Sequence, residues 1–188
     1  MSRMFRTAAI VLVAASVVGA AVALAASGAK SDKAGKMTPA ERGKYLVTVM
    51  GCGDCHTPGT LYGGPNMSRY LAGSELGWTG PWGVVCARNL TSDPETGLGK
   101  WTVEQIAHAI RTGNRPDGRQ LAPIMPWMNF ANLTDSDATA IASYLKTVPA
   151  VSHKVPEPVP PGQTPSGPAL VFPPPSAWDA PVGMGEGH

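Results

Sequence analysis

Two cysteines and a histidine stand close together in this sequence, in the order Cys52-Gly53-Asp54-Cys55-His56. Two thiols separated by two residues can each form a thioether bond to one vinyl group of a haem, and the adjacent histidine can offer a ring nitrogen to the iron from the same short turn. The motif therefore predicts one haem c, covalently bound through Cys52 and Cys55, with His56 as an axial ligand of the iron.

Two other kinds of site use the same residue types. A thioredoxin-like redox pair calls for a βαβ pattern, and no strand pattern surrounds this motif. A Cys3His zinc site could nominally combine the motif with Cys86, but three ligands within five residues fit zinc-site spacings poorly. Haem attachment is the stronger interpretation, and Cys86 is expected to be a small buried apolar side chain rather than a reactive thiol.

Met125 is the candidate for the second axial ligand, and its thioether sulfur would raise the reduction potential of the iron relative to a second imidazole. It stands between Pro123 and Pro126. These prolines stiffen the loop and keep it out of a helix, which suits a ligand that approaches from the side opposite His56. Met128 is the alternative ligand in the same loop.

Three helices are predicted around these residues. Each follows a threonine that can cap it, with a side chain three residues later that can complete a capping box. The pairs are Thr38 with Glu41, Thr102 with Gln105, and Thr134 with Asp137. Apolar residues recur at helical spacing over residues 38–50, 102–113 and 134–148. Between the first two helices, residues 57–100 are expected to form a long glycine-rich loop around the haem, with one short strand near residues 84–87.

The first 26 residues have the features of an export segment. Arg3 and Arg6 form a basic start, an apolar stretch covers residues 8–26, and Ala23 and Ala25 resemble an A-x-A cleavage site. We expect a signal peptide cleaved after residue 25 or 26. The alternative is an uncleaved membrane anchor, because the stretch approaches the length that spans a bilayer. Both predict a periplasmic protein, with a flexible linker over residues 27–37 ahead of a haem domain over residues 38–149.

Residues 150–188 are rich in proline and are predicted to be an extended tail with little that could pack. Two interpretations stay open. The tail is either a strap or docking segment or a disordered extension. In the first case its apolar anchors on a larger assembly are Leu170, Val171, Phe172 and Trp178.

Charge argues against a nucleic-acid partner. Removal of residues 1–25 deletes Arg3 and Arg6 and leaves 13 basic and 13 acidic residues, so the exported chain is formally neutral. A neutral chain lacks the electrostatic footprint of a nucleic-acid-binding protein. The charges are interspersed, which is compatible with docking to a redox protein. Membrane contact is expected only through an uncleaved N-terminal segment.

The order of these parts resembles the class I cytochrome c family over about residues 38–148. Several short segments are similar to the haem domains of cytochrome subunits of membrane-bound alcohol, aldehyde or gluconate dehydrogenases. They are Cys55-His56-Thr57-Pro58, Asn89-Leu90-Thr91, Trp101 with Gln105-Ile106, Met125-Pro126-Trp127 and Leu133-Thr134-Asp135. The resemblance implies an all-α cytochrome c fold, with three main helices and long loops around the haem and with the first and last helices crossing. It also implies that Met125 is the axial ligand. Those subunits commonly carry three haem motifs, whereas this sequence has one.

Two functions are compatible with one haem of this kind. The first is an electron carrier with six-coordinate iron, which exchanges single electrons with redox partner proteins as a shuttle or as a small subunit of a respiratory, dehydrogenase or oxidase complex. The second is a haem protein with an open coordination position, such as a peroxidase-like enzyme or a gas-binding sensor. A single motif weighs against the di-haem type of bacterial peroxidase. We therefore expect an electron carrier rather than an enzyme.

Overall fold

The computed structural model of this protein describes residues 37–172. They contain five helices, namely α1 Pro39–Val49, α2 Cys52–His56, α3 Val103–Thr112, α4 Trp127–Phe130 and α5 Asp135–Thr147. They also contain three strands, β1 Gly77–Gly80, β2 Gly83–Cys86 and β3 Ala169–Val171. Two short 3₁₀ helices, Thr60–Tyr62 and Met67–Arg69, lie between α2 and β1.

The first two long helices begin where the sequence predicts them. The backbone N–H of Glu41 donates to Thr38 Oγ1 at 3.3 Å, and the Glu41 carboxylate accepts from the Thr38 backbone in return. Thr102 and Gln105 form the same reciprocal pair at the start of α3. Both capping boxes satisfy backbone donors that a helix start leaves without partners. The predicted starts of α1 and α3 are confirmed.

The start of α5 departs from the predicted capping box. The backbone N–H of Asp137 donates to Thr134 Oγ1 at 3.1 Å, as expected. The Asp137 carboxylate, however, accepts two hydrogen bonds from the guanidinium of Arg42 on α1, at 2.9 and 3.2 Å. A charged, two-pronged donor is a stronger partner than a backbone N–H. The carboxylate therefore ties α5 to α1 instead of closing its own helix start.

Helices α1 and α5 pack together at Gly43. A Cβ on Gly43 would lie 1.9 Å from the carbonyl oxygen of Ala140, so the close approach of the two backbones requires glycine. The first and last long helices are thus in contact, as the resemblance implies. The buried core around them consists of Leu46, Val47, Leu71, Leu98, Ile106, Ile141, Ala142, Leu145 and Val148.

The chain also forms a three-stranded sheet in the order β2-β1-β3. β1 pairs antiparallel with β2, with Gly77 opposite Cys86, and parallel with β3, with Gly77 opposite Ala169. The predicted strand over residues 84–87 is β2, shifted by one residue. The all-α, three-helix prediction is corrected in two details, because a sheet is present and the short helices α2 and α4 add to the three long ones. Glycines at both ends of β1 hide its strand pattern, and β3 comes from the tail.

The tail packs on the haem domain as far as the structure describes it, which corrects the expectation that little of it could pack. Val155 is only 3% exposed. Val159 and Val84 exchange two backbone hydrogen bonds, at 2.8 and 2.9 Å. The ring of Phe172, just after β3, stacks on Trp78 with 6.2 Å between the centroids. These contacts are all within the chain itself, so the interpretation of the tail as a strap or docking segment on a larger assembly stays a prediction. Trp178 lies outside the described residues.

The N-terminal predictions concern residues that lie outside the described part of the chain. These are the export segment 1–26 and all of the linker 27–37 except Met37. Within residues 37–172, no helix combines the length and apolar character needed to cross a membrane. Export and membrane anchoring through residues 1–26 stay predictions.

Candidate functional site

A cavity of about 960 Å³ lies among the helices and loops. Its volume is near the upper end of the range of roughly 300–1,000 Å³ that small-molecule sites occupy. Its wall includes all four residues that the sequence singles out, Cys52, Cys55, His56 and Met125. Apolar side chains cover much of the rest of the wall, among them Leu90, Leu98, Ile106, Ile141 and Leu145.

The cysteine motif forms helix α2, which follows α1 after a sharp turn. Gly51 makes this turn with φ 69° and ψ 25°, a left-handed conformation that favours glycine. The sequence correctly places a glycine break between the first helix and the motif. Because α2 is a single short helix, Cys52, Cys55 and His56 reach the same cavity from adjacent turns of backbone.

The imidazole of His56 is held by a distant part of the backbone. Its Nδ1 lies 2.6 Å from the carbonyl oxygen of Arg88. A carbonyl oxygen can only accept, so Nδ1 carries the proton and Nε2 keeps its lone pair. Burial lowers the pKa of His56, and the hydrogen bond to Arg88 acts in the opposite direction. A neutral ring with a free Nε2 is the form of histidine that binds a metal.

All three thiols are half-buried and line the cavity. Burial raises the pKa of Cys52 to about 11 and also raises the pKa values of Cys55 and Cys86. A raised pKa keeps a thiol uncharged and weakly nucleophilic. This agrees with the prediction that Cys86 is not a reactive thiol. The sequence predicts that Cys86 is buried, whereas the structure shows it half-buried.

The two alternative uses of the cysteines find no support in the structure. The motif follows a helix and precedes a 3₁₀ helix, so it is not part of a βαβ unit. Across residues 37–172, no three His, Cys, Asp or Glu side chains form a group that could hold a metal ion. The alternative Cys3His zinc site would need Cys52, Cys55, His56 and Cys86 to form such a group, and they do not.

Met125 lies in a loop between α3 and α4 that is fixed at both ends. The backbone N–H of Leu121 donates to the carbonyl oxygen of Gly113 at 2.7 Å, and the N–H of Trp127 donates to that of Met125 at 2.7 Å. Met128 is 54% exposed and is not among the residues that line the cavity. The position of Met125 on the cavity wall therefore favours it over Met128 as a ligand.

The donor set of the cavity is suited to a haem c. A flat macrocycle needs a large apolar site, its two carboxylates need cationic donors, and its iron needs a neutral imidazole. The cavity has such an apolar wall and also contains Arg88, Arg115, Arg119 and Lys154. The buried Nε of Arg115 has no hydrogen-bond partner in the described part of the chain. The residues present thus fit the group that the cysteine motif predicts.

Part of the cavity wall was not predicted from the sequence. Lys154, Val155, Glu157 and Pro158, all in the tail, line the cavity. The only local signal is a pair of valines, Val155 and Val159, set between prolines. Two valines in a proline-rich segment do not distinguish a packed strap from an exposed one.

Comparisons with known proteins agree with this site. A family model described as Cytochrome c matches residues 40–149. Over 113 residues, the chain is 36% identical to the fructose dehydrogenase cytochrome subunit of Gluconobacter japonicus. The matched region covers 58% of this chain and 22% of that protein. Over 121 residues, it is 36% identical to the cytochrome c subunit of the alcohol dehydrogenase (quinone) of Gluconobacter oxydans. That matched region covers 62% of this chain and 23% of that protein.

A third relative is named for two haems. The diheme cytochrome c-type protein of Cereibacter sphaeroides is 39% identical over 116 residues, which covers 59% of this chain and 36% of that protein. The chain therefore spans between 22% and 36% of the length of these three relatives. The family match ends at residue 149, so the tail residues on the cavity wall lie beyond it.

Proposed function

Because this chain belongs to the cytochrome c family, we propose that it binds a single haem c and carries single electrons between redox proteins. Cytochrome subunits of fructose and alcohol dehydrogenases are among its relatives, and both names support electron transfer. When bound, haem c supplies an iron centre that alternates between the ferric and ferrous states. The observation that carries the proposal is that Cys52, Cys55, His56 and Met125 all line one cavity.

Each of these four residues has a separate task. Cys52 and Cys55 would hold the macrocycle through thioether bonds. His56 and Met125 would bind the iron through a ring nitrogen and a thioether sulfur. A methionine ligand favours the reduced iron more than a second imidazole does, so it suits a carrier that accepts electrons from a dehydrogenase.

The surrounding residues keep the ligands in place and limit access of water. The carbonyl oxygen of Arg88 fixes the ring of His56 in the tautomer that leaves Nε2 free. Apolar residues such as Leu98, Ile106 and Ile141, each less than a tenth exposed, give the cavity an apolar wall that disfavours water. If His56 and Met125 both bind the iron, the haem would have no open position for a substrate, which supports a carrier rather than an enzyme.

The location and the partner follow from the sequence and the relatives together. We place the mature protein in the periplasm, because residues 1–26 have the features of an export segment. A dehydrogenase is the proposed electron donor, since two relatives are by name cytochrome subunits of a fructose and an alcohol dehydrogenase. The haem motif occurs once in the sequence, which supports one haem in this chain.

Absorption spectra of the purified holoprotein test the ligand set. Wild type, Met125→Ala and the matched control Met128→Ala are compared in the ferric state, in the far-red region where methionine ligation gives a charge-transfer band. We expect the band in wild type and Met128→Ala and its loss in Met125→Ala. If wild type lacks the band and binds carbon monoxide readily when reduced, the carrier function is wrong and an open-site haem protein takes its place.

A further inference from the structure

A group of charged side chains surrounds one part of the cavity. Its cationic members are Arg88, Arg115, Arg119 and Lys154, and its acidic members are Asp117 and Glu157. Asp117 bridges two of the arginines, at 3.0 Å from Arg115 and 2.8 Å from Arg119. Glu157 pairs with Arg88 at 3.0 Å. With four cations and two carboxylates, the group carries two positive charges that its own acids do not balance.

Arg115 has a buried donor atom without a partner in the described part of the chain. One terminal nitrogen is 3.0 Å from Asp117. The guanidinium carbon lies 5.6 Å from the centroid of the Trp101 ring, so the indole covers one face of the guanidinium. The Nε–H is buried, and no acceptor for it occurs within residues 37–172. Because an unsatisfied buried donor is costly, especially on a charged group, this atom is suited to an anionic acceptor.

We propose that the Nε–H of Arg115 binds one propionate carboxylate of the bound haem. This inference rests on the proposed function. A guanidinium presents neighbouring N–H groups in a rigid plane that matches the two oxygens of a carboxylate. Asp117 and Trp101 hold the guanidinium in place, and the surplus of positive charge around it favours an anion. The propionates of haem c are negatively charged, as the positive charge of the group requires.

The assignment has a consequence for the reduction potential. A positive charge that neutralises a propionate removes a negative charge that would otherwise stabilise ferric iron. Loss of the Arg115 charge should therefore favour the ferric form and lower the midpoint potential. A change of roughly tenfold in the reduced-to-oxidised ratio corresponds to about 59 mV for a one-electron couple.

The test uses holoprotein that carries haem with ¹³C-labelled propionates. Redox-induced infrared difference spectra report the labelled carboxylates directly, and spectroelectrochemistry gives the midpoint potential. In Arg115→Gln we expect a shifted carboxylate band. We also expect the midpoint potential to fall by about 59 mV, which corresponds to a tenfold lower reduced-to-oxidised ratio. The matched control is Arg111→Gln, because Arg111 is on α3, pairs with Asp135 and is not among the cavity-lining residues. This control should keep the wild-type band and potential.

Wild-type carboxylate bands and an unchanged potential in Arg115→Gln would overturn the assignment. If Arg115→Gln gives no folded holoprotein, Arg115→Lys decides, because lysine keeps the charge but lacks the planar Nε–H donor. The labelled band should then shift while the potential stays near that of wild type, and an unshifted band would again overturn the assignment. A wild-type protein without covalent haem in its pyridine haemochrome spectrum would overturn the proposed function and this inference together.

Discussion

Nδ1 of His56 lies 2.6 Å from the carbonyl oxygen of Arg88, a residue 32 positions further along the chain. The backbone on both sides of this contact is also held. The N–H of Gly73 donates to the carbonyl oxygen of His56 at 2.8 Å. The side chain of Asn89, next to Arg88, donates to the carbonyl oxygen of Val151 at 2.8 Å. The tail thus helps to fix the loop that orients the histidine ring.

The first prediction concerns the proton on this ring. In reduced holoprotein labelled with ¹⁵N-histidine, we expect His56 to be protonated at Nδ1 and this proton to exchange slowly with water. The reason is that the proton is shared with a backbone carbonyl in a buried setting. His153 has a similar contact, with Nδ1 2.6 Å from the carbonyl oxygen of Ala72, so His153→Gln identifies which signal belongs to His56. A His56 ring protonated at Nε2, or a rapidly exchanging Nδ1–H, would contradict the prediction.

The second prediction concerns the contact between α1 and α5. In Gly43→Ala, the new methyl group would meet the backbone oxygen of Ala140, which cannot move aside as a side chain can. We expect the free energy of unfolding of the holoprotein to fall by at least about 3 kcal/mol, at the high end for overpacked sites. Gly64→Ala is the matched control, because a Cβ there meets no atom within 4 Å. Equal stability of the two variants in chemical denaturation would show that α1 and α5 can separate without cost.

Local signals made the helices and the cysteine motif predictable. Capping threonines and helical spacing lie within a few residues of each other, so the starts of α1 and α3 could be identified from short segments. Met125 could be proposed as a ligand for a similar reason, because its flanking prolines and the segment that resembles the family both belong to one short loop. The structure places it on the cavity wall, and its role as a ligand stays a prediction. In each case the information that decides the structure is close in the sequence.

The remaining features depend on partners that are distant in the sequence. The carboxylate of Asp137 turns to Arg42, 95 residues away, instead of completing its own capping box. Strand β3 forms only because β1 accepts it as a neighbour, which the three residues of β3 do not reveal. The same holds for the tail wall of the cavity, where Val155 is buried by contacts with the haem domain. Such tertiary contacts override local patterns.

The third prediction tests whether the tail stabilises the domain. Val155 is 3% exposed and its Cγ2 lies close to Gly73, whereas Val171 is 70% exposed. We expect Val155→Ala to lower the free energy of unfolding by about 1–3 kcal/mol through lost burial and a small cavity. Val171→Ala, which removes the same atoms from an exposed site, should have little effect. A Val155→Ala variant as stable as Val171→Ala would mean that the tail contributes no packing energy.

The fourth prediction concerns the pH dependence of stability. The hydrogen bonds and charge of Arg42 lower the pKa of Asp137 below its ordinary value of 3.8. A carboxyl group with a lowered pKa in the folded state stabilises the protein above its unfolded pKa, and this contribution is lost as the pH falls through the folded pKa. Asp137→Asn should therefore be less stable than wild type near neutral pH. The difference should shrink as the pH falls below 3.8 and disappear only below the folded pKa.

Denaturant titrations of wild type and Asp137→Asn over that pH range measure the difference. Asp135→Asn is the control, because it removes an acid from the same first turn of α5, and the 92% exposed Asp135 side chain pairs with Arg111 on α3 rather than with α1. An exposed ion pair of this kind contributes little to stability. Both variants lose a similar interaction with the positive end of the helix dipole. Only Asp137→Asn also loses the link to Arg42, so its loss of stability near neutral pH should be the larger one. Equal losses in the two variants would assign the effect to the helix start and not to the contact between α1 and α5.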